Sequence, residues 1–150
     1  MLVDTVGERE RVFLDSMALI YFIENNATYL PQLLPVFERV DRGLITGLSS
    51  YITLLEVLVQ PIRKQQADIA RKYRETLTRG PNFTLFPVEE SVAEKSAEIR
   101  ARYNFRTPDA IQLATAELRG AECFITNDSQ LKRFNGVEVL VLDDFIQNVS

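Results

Sequence analysis

The stretch "VFLDSMALIYFIE", residues 12 to 24, decides the fold, because a short apolar strand runs through an aspartate directly into an apolar helix. Residues 11–14 have the length and composition of a buried strand, and residues 16–26 those of a helix. The stretch "FITNDSQL", residues 124 to 131, repeats the pattern with Asp128 after a second apolar segment. Two buried strands therefore each deliver a carboxylate at the C-terminal end.

The rest of the chain alternates between strand and helix patterns. Further strands are predicted at 44–48, 82–86, 122–126 and 137–141. Further helices are predicted at 33–40 (ended by Gly43), 51–59 (capped by Ser49-Ser50 and closed by Pro61), 65–79, 89–103, 106–120 (capped by Thr107) and 143–149 (capped by Asp143-Asp144). Strands separated by helices favour a parallel sheet covered on both faces. The sequence thus predicts an α/β sandwich in a single domain, residues 1–150, in which residues 1–10 form an N-terminal tail or a partner contact.

Composition places the chain among ordinary globular proteins. Of its 150 residues, 46% are hydrophobic and 25% charged. A chain of this length and hydrophobic content can form a core without disulfide bonds. The charged N-terminus lacks the apolar region of a secretory signal, and no run reaches the length of a membrane span. The single Cys123 cannot form an internal disulfide. We therefore predict a cytoplasmic protein with no membrane partner.

The chain contains no histidine. This excludes Ser-His-Asp and Cys-His catalysis, as well as zinc held by histidine. Any hydrolytic activity would have to rest on carboxylates.

Four carboxylates are candidates for such a site, and each also has a purely structural interpretation. Asp15 and Asp128 can be helix N-caps, and Asp109 is favourable near a helix N-terminus through the helix dipole. Glu56 is the only charge in the apolar run 51–59, which predicts a buried helix, although it can also reach solvent or pair with an arginine. Three of them lie at strand-to-helix or loop-to-helix junctions, and the fourth, Glu56, interrupts an apolar helix directly after a strand. This coincidence favours a common site.

Four carboxylates brought together repel one another strongly, so a cluster is tolerable only if divalent cations neutralise it. Oxygen ligands of this kind select Mg²⁺ or Mn²⁺. These ions orient phosphate esters and lower the pKa of bound water. The residues therefore indicate metal-assisted chemistry on a phosphate ester.

The sequence resembles the PIN domain nucleases, in particular the VapC-type toxin ribonucleases. The resemblance covers nearly the whole chain. It is carried by four stretches in order, "FLDSMALIYFIE" with Asp15, "SSYITLLEVL" with Glu56, "RTPDAIQLATA" with Asp109 and "FITNDSQLKRF" with Asp128.

The resemblance implies a PIN-like three-layer α/β/α sandwich with a central five-stranded parallel sheet in the order 3-2-1-4-5. It further implies an endoribonuclease that holds one or two Mg²⁺ or Mn²⁺ ions on the four carboxylates and cleaves RNA. It also implies a homodimer and, for a toxin, a cognate antitoxin protein. The hydroxyls of Ser16 and Thr126 match positions beside the metal site and are predicted to orient its ligands, with a helix-cap role open for Ser16.

Local basic patches are the candidates for RNA contact, because the net charge of the whole chain is −4. Residues 63–79 carry six basic residues against two acidic ones, which is typical of either a solvated helix face or a phosphate-facing surface. The candidates are Arg63, Lys64, Arg71, Arg106, Lys132 and Arg133. Apolar residues of the helix 33–40 are interpreted as core, or as part of a dimer or antitoxin groove.

Other protein families fit the sequence less well. A haloacid-dehalogenase-like phosphatase needs a second aspartate two residues after the first, where this chain has Met17. A phosphate-accepting receiver domain needs an acidic pair near the first strand and a lysine after the last, and "VLVLDDF" supplies neither. The alternative from a different class is a non-catalytic PIN-like module that binds RNA or protein.

Overall fold

One parallel sheet organises the molecule. The computed structural model describes residues 1–146, and its strands are β1 (Arg11–Leu14), β2 (Thr46–Ser50), β3 (Phe83–Phe86), β4 (Cys123–Thr126) and β5 (Glu138–Val141). All neighbouring pairs are parallel, and the spatial order is β3-β2-β1-β4-β5. The predicted sheet order and fold class are confirmed.

Helices cover both faces of this sheet. They are α1 (Leu2–Val6), α2 (Ser16–Ile23), α3 (Leu30–Asp41), α4 (Tyr51–Arg63), α5 (Ala67–Arg79), α6 (Glu90–Tyr103) and α7 (Thr107–Leu118), with 3₁₀ helices at Ser129–Arg133 and Leu142–Phe145. Helices α1 to α5 bury apolar residues in one cluster, and α6 and α7 do so in a second. Within residues 1–146, no helix combines the length and apolarity needed to cross a membrane.

The central strands are apolar on both sides because both of their faces are covered. Val12 and Leu14 pack in the first cluster, whereas Phe13 packs in the second. Phe13 stacks on Phe124 of β4 with ring centroids 4.9 Å apart. Beyond the end of β1, the N–H of Asp15 still donates to the carbonyl of Ile125 at 3.0 Å. This pairing fixes the first carboxylate beside the end of β4.

Residues 1–10 do not form the predicted tail. Leu2 and Val6 of α1 are fully buried in the first cluster. The N–H of Leu2 donates to Gln32 at 2.9 Å, and the Arg39 guanidinium donates to the Gly7 carbonyl at 2.7 Å. Helix α1 is only five residues long, so it depends on this tertiary packing rather than on helix propensity.

Helix α4 differs from its prediction in length. Pro61 was predicted to close it, but the helix continues to Arg63. A proline in the last turn removes one backbone hydrogen bond there and leaves the preceding turns intact. The helix ends where Gln65 adopts a left-handed conformation with φ of 56°. Strand β2 lies two residues later than predicted, so that Ser49 belongs to the strand and only Ser50 caps α4, accepting from the N–H of Ile52 at 3.1 Å.

The prediction that α4 is buried all round is also wrong. Only Thr53, Val57 and Pro61 are buried. A stripe of apolar side chains at helical spacing is exposed to solvent, and we call it the α4 stripe: Tyr51, Leu55, Val59 and Ile62. In α3, by contrast, Leu33, Val36, Phe37 and Val40 belong to the core, and Leu34 is exposed.

Two predicted caps are not formed. Arg106 is the N-cap of α7, and Thr107 is its first residue, whose hydroxyl accepts from Arg100 at 3.0 Å. The predicted terminal helix 143–149 begins as the 3₁₀ helix Leu142–Phe145, with Val141 at its N-cap in place of Asp143-Asp144. The rest of that prediction, residues 147–149, lies outside the described part of the chain.

Candidate active site

All four candidate carboxylates line one cavity of about 330 Å³ at the carboxyl ends of β1 and β4. This is the edge at which parallel α/β sheets place their functional groups. The other residues that line the cavity are Ser16, Met17, Ile20, Tyr21, Arg106, Thr126 and Asn127.

Asp15 is the buried member of the group, at 9% exposure. One of its oxygens, Oδ1, accepts from the Ser16 N–H at 2.8 Å and from the Gln112 side-chain amide at 3.1 Å. The other, Oδ2, accepts from the Thr126 hydroxyl at 2.8 Å. Burial raises the pKa of Asp15 to about 6, and the nearby Asp109 charge adds to the rise, although all three hydrogen bonds lower it. Desolvation therefore outweighs three donors.

Asp15 also caps α2, since its side chain accepts from Ser16. The cap interpretation and the site interpretation are therefore both satisfied by one side chain. The same holds for Asp128, which caps the 3₁₀ helix by accepting from the Gln130 N–H at 3.0 Å. The N–H of Asp128 donates to the Thr126 hydroxyl at 3.2 Å. Thr126 thus links the carboxylates that follow β1 and β4.

Glu56 lies on the exposed side of α4 and faces the cavity. The Ser16 hydroxyl donates to its Oε1 at 2.7 Å. Within residues 1–146, Glu56 forms no salt bridge, so the predicted alternative of an arginine partner is not realised there. Its position depends on the residue that directly follows Asp15.

Asp109 lies in the first turn of α7, and its side chain is 17% exposed. The guanidinium of Arg106 lies 3.3 Å from Oδ2 of Asp109. Burial raises the pKa of Asp109, Arg106 lowers it, and the charge of Asp128 raises it again. Asp109 therefore senses Asp128 on one side, as Asp15 senses Asp109 on the other, which makes the acidic groups one electrostatic unit.

The charges that line the cavity are unbalanced, because four carboxylates face a single guanidinium, Arg106. Ionised oxygens backed by hydroxyl and amide donors are the ligand set that a hard divalent cation prefers. Within the described residues, no three acidic side chains already surround one point, so ligation would require rotation of side chains at the rim. The chemistry of the donors and their uncompensated charge fit Mg²⁺ or Mn²⁺.

Of the six basic residues predicted to contact RNA, Arg106 is the one that lines this cavity. Lys132 forms an ion pair with Asp144, and Arg133 lies over the ring of Phe105, 4.7 Å from its centroid. The remaining three, Arg63, Lys64 and Arg71, are exposed around the junction of α4 and α5. The segment 63–79 is therefore separate from the carboxylate cavity.

Sequence reasoning missed the buried polar residues behind the carboxylates. Gln112 is 1% exposed, and Thr53 and Ser50 are fully buried. The side-chain amide of Gln112 donates to Asp15 and to the Thr53 hydroxyl at 2.6 Å, and its oxygen accepts from the Ser50 hydroxyl. The available signal was a glutamine one helical turn after Asp109, between two apolar neighbours.

Comparisons with known proteins agree with the fold. The family model of the PIN domain matches residues 12–137. A chain in a toxin-antitoxin complex from Klebsiella pneumoniae is 26% identical, with a TM-score of 0.68 over 87% of this chain and 97% of that one. VapBC2 from Rickettsia felis, bound to a DNA fragment from their promoter, contains a chain with 17% identity and a TM-score of 0.69 over 87% and 98% of the two chains. For FitAcB from Neisseria gonorrhoeae the values are 18% and 0.67, over 87% and 97%. No curated protein gives a match.

Proposed function

Because the chain belongs to the PIN domain family, whose members are typically nucleases, we propose that it is a Mg²⁺- or Mn²⁺-dependent endoribonuclease. The observation that carries the proposal is the buried Asp15, held by three donors at the edge of a cavity that Glu56, Asp109 and Asp128 also line. Burial of this charge costs stability, and an exposed carboxylate would cap α2 without that cost, so the cap alone does not explain the burial. The proposed reaction is hydrolysis of RNA phosphodiester bonds to a 3′-hydroxyl and a 5′-phosphate.

In this proposal, Asp15, Glu56, Asp109 and Asp128 hold one or two divalent ions. When bound, the ion neutralises charge at the scissile phosphate and lowers the pKa of water. The chain's own residues set the geometry. Thr126 holds Oδ2 of Asp15, and Ser16 holds Oε1 of Glu56, so both hydroxyls are proposed to orient ligands.

Two residues at the rim have further proposed roles. Glu56 is exposed, and the Ser16 hydroxyl bonds only one of its oxygens in the described structure. If the metal does not need Glu56 as a ligand, the second oxygen is instead available to accept a proton from the attacking water as a general base. Arg106 is 79% exposed beside Asp109, so its guanidinium is placed to contact a substrate phosphate.

The 26% identical chain in a toxin-antitoxin complex supports a partner of the same kind. We propose that this protein is the toxin of such a pair and that a cognate antitoxin neutralises it. We also propose a homodimer, in which a second copy covers the α4 stripe. Tyr51, Leu55 and Ile62 are 47%, 60% and 59% exposed, and a contiguous apolar face of this kind is typical of an interface.

The nuclease proposal is tested by incubating a mixed RNA pool with the purified protein in Mn²⁺, in Mg²⁺ and in EDTA. An Asp15→Asn/Asp128→Asn variant should not cut, whereas Asp41→Asn, at an exposed aspartate in the last turn of α3, should cut like wild type. Cutting that survives EDTA or the double substitution would exclude the carboxylate site. Absence of both cutting and metal binding would favour the non-catalytic PIN-like module.

The dimer is tested by light scattering coupled to gel filtration. Leu55→Lys on the α4 stripe should shift the wild-type dimer to a monomer, because a charge would be buried at the contact. Leu118→Lys, at a similarly exposed leucine on α7, should leave the dimer intact. A monomeric wild type, or a dimer that persists in Leu55→Lys, contradicts the proposal.

A further inference from the structure

Gln112 is a buried polar residue whose every side-chain group has a partner. It lies on α7 at 1% exposure. Its Nε2 is 3.1 Å from Asp15 Oδ1 and 2.6 Å from Thr53 Oγ1. Its Oε1 accepts from the hydroxyl of Ser50. The side chain thus joins α7 to the end of β1, the end of β2 and the first turn of α4.

The direction of these hydrogen bonds fixes the orientation of the amide. An ionised Asp15 can only accept, so the Gln112 atom that faces it must be the nitrogen. The two hydrogens of that nitrogen then serve Asp15 and Thr53, and the Ser50 hydroxyl supplies the hydrogen for Oε1. A flipped amide would place two oxygens against each other in a site without solvent, which is costly.

This arrangement determines which oxygen of Asp15 can face a cation. Oδ1 accepts from both the Ser16 N–H and Gln112, so its two lone pairs are occupied. Among residues 1–146, Oδ2 accepts only from Thr126, which leaves one of its lone pairs free. Of the four acceptor positions of the carboxylate, three are therefore taken by the protein.

We propose that Gln112 is a positioning residue that locks the Asp15 carboxylate so that it binds a divalent cation through Oδ2 alone. The inference rests on the proposed metal-dependent function, because it concerns how that site is built. Without Gln112, Oδ1 loses a donor and the carboxylate gains freedom to rotate. Groups that orient a metal ligand in this way typically change metal affinity by about 10- to 100-fold.

The test is a calorimetric titration of the full chain with Mn²⁺, comparing wild type with Gln112→Met. Methionine has a similar length and volume but donates no hydrogen bond. The dissociation constant is expected to rise by about 10- to 100-fold, with the number of Mn²⁺ ions per chain unchanged. A folding defect would instead lower that number without shifting the dissociation constant of the folded fraction.

Thr115→Val is the matched control. Thr115 lies on the same helix, is fully buried, and its hydroxyl bonds only the Ile111 carbonyl in the described structure. The dissociation constant of this variant for Mn²⁺ should stay within about twofold of wild type, because the Thr115 hydroxyl bonds the backbone of its own helix and none of the four carboxylates in the described structure.

A second variant keeps the test available if Gln112→Met does not fold. Ser50→Ala removes the hydroxyl that donates to Gln112 Oε1, and with it the constraint on the amide, while Asp15 is not touched. It should weaken Mn²⁺ binding less than Gln112→Met does, but more than Thr115→Val.

The outcomes separate this inference from the function on which it rests. If wild type cuts RNA and Gln112→Met binds Mn²⁺ as tightly as wild type, the positioning role is wrong and the nuclease stands. If wild type neither binds Mn²⁺ nor cuts RNA, both are wrong.

Discussion

The two edges of the sheet carry charge in opposite ways. At the amino edge, where the strands begin, charges have partners. Arg9 forms an ion pair with Glu138, and the Glu122 carboxylate accepts from the N–H groups of Glu10 and Arg11 at 2.9 and 3.2 Å. At the carboxyl edge, four carboxylates share a cavity with one arginine. The paired charges at the amino edge stabilise the fold. The carboxylates at the carboxyl edge oppose folding, which is typical of a functional site.

The largest effect is expected from replacing the buried charge of Asp15 at the carboxyl edge. Asp15→Asn is expected to lower RNA cleavage by about 1,000-fold or more, since a metal ligand supplies several kcal/mol of transition-state stabilisation. Without metal at pH 7.5, the same change should raise the free energy of unfolding by about 1–2 kcal/mol. The full gain from a pKa that rises from 3.8 to about 6 would be about 3 kcal/mol, but the Asn amide cannot accept from all the donors around it. A variant that is less stable than wild type in urea unfolding would contradict the conclusion that the buried charge of Asp15 destabilises the fold.

The dependence of stability on pH follows from the same group. Well below pH 3.8, Asp15 is protonated in both the folded and the unfolded chain, so its titration does not affect stability there. Between about pH 4 and 6 the unfolded chain ionises first, because the folded pKa is the higher one, so the free energy of unfolding falls as pH rises. The raised pKa of Asp109 acts in the same direction. From pH 4 to pH 7, the urea midpoint of Asp15→Asn should therefore rise relative to that of wild type, and a difference that does not change with pH would contradict this account.

Removing the one arginine of the cavity sharpens the comparison with a smaller effect. Arg106→Gln should raise the KM for RNA by about 3- to 10-fold, because a phosphate contact is lost, and should bind Mn²⁺ at least as tightly as wild type, because a repelling charge is gone. Arg102→Gln, at an exposed arginine outside the cavity, is the control and should change neither quantity. Weaker Mn²⁺ binding in Arg106→Gln would contradict the placement of this charge beside the metal site.

The sequence predicted the parts of the site that depend on one strand end or one helix. Asp15 and Asp128 were located by their position after apolar strands, and the sheet order that came from the family resemblance places those strands side by side. Periodicity also located the strands to within about two residues. Local signals of this kind are stored in consecutive residues, so they can be read without knowing the fold.

The remainder depended on contacts between distant segments. Gln112 and Thr53 are 59 positions apart and meet only because α7 and α4 converge behind β1. Helix α1 is too short for propensity to specify it, and the burial of Leu2 stabilises it. Nothing in the apolar run of α4 distinguishes a helix that is buried all round from one whose second face is exposed to solvent. These features are fixed by tertiary structure, so the sequence pattern could not supply them.

The smallest effect is expected at the amino edge, and it serves as the reference for the variants at the carboxyl edge. Glu138→Gln removes the ion pair with Arg9 and leaves the bonds of Arg9 to the Thr5 and Val6 carbonyls in place. The Arg9 and Glu138 side chains are 30% and 46% exposed. Exposed pairs contribute about 0.2–1 kcal/mol and are screened by salt, so the variant should lose at most that much stability in urea unfolding, and less in high salt. Its RNA cleavage should equal that of wild type. Substitution at this edge should therefore lower stability and spare activity, whereas Asp15→Asn should raise stability and remove activity. A loss of cleavage in Glu138→Gln would show that the two edges are not independent.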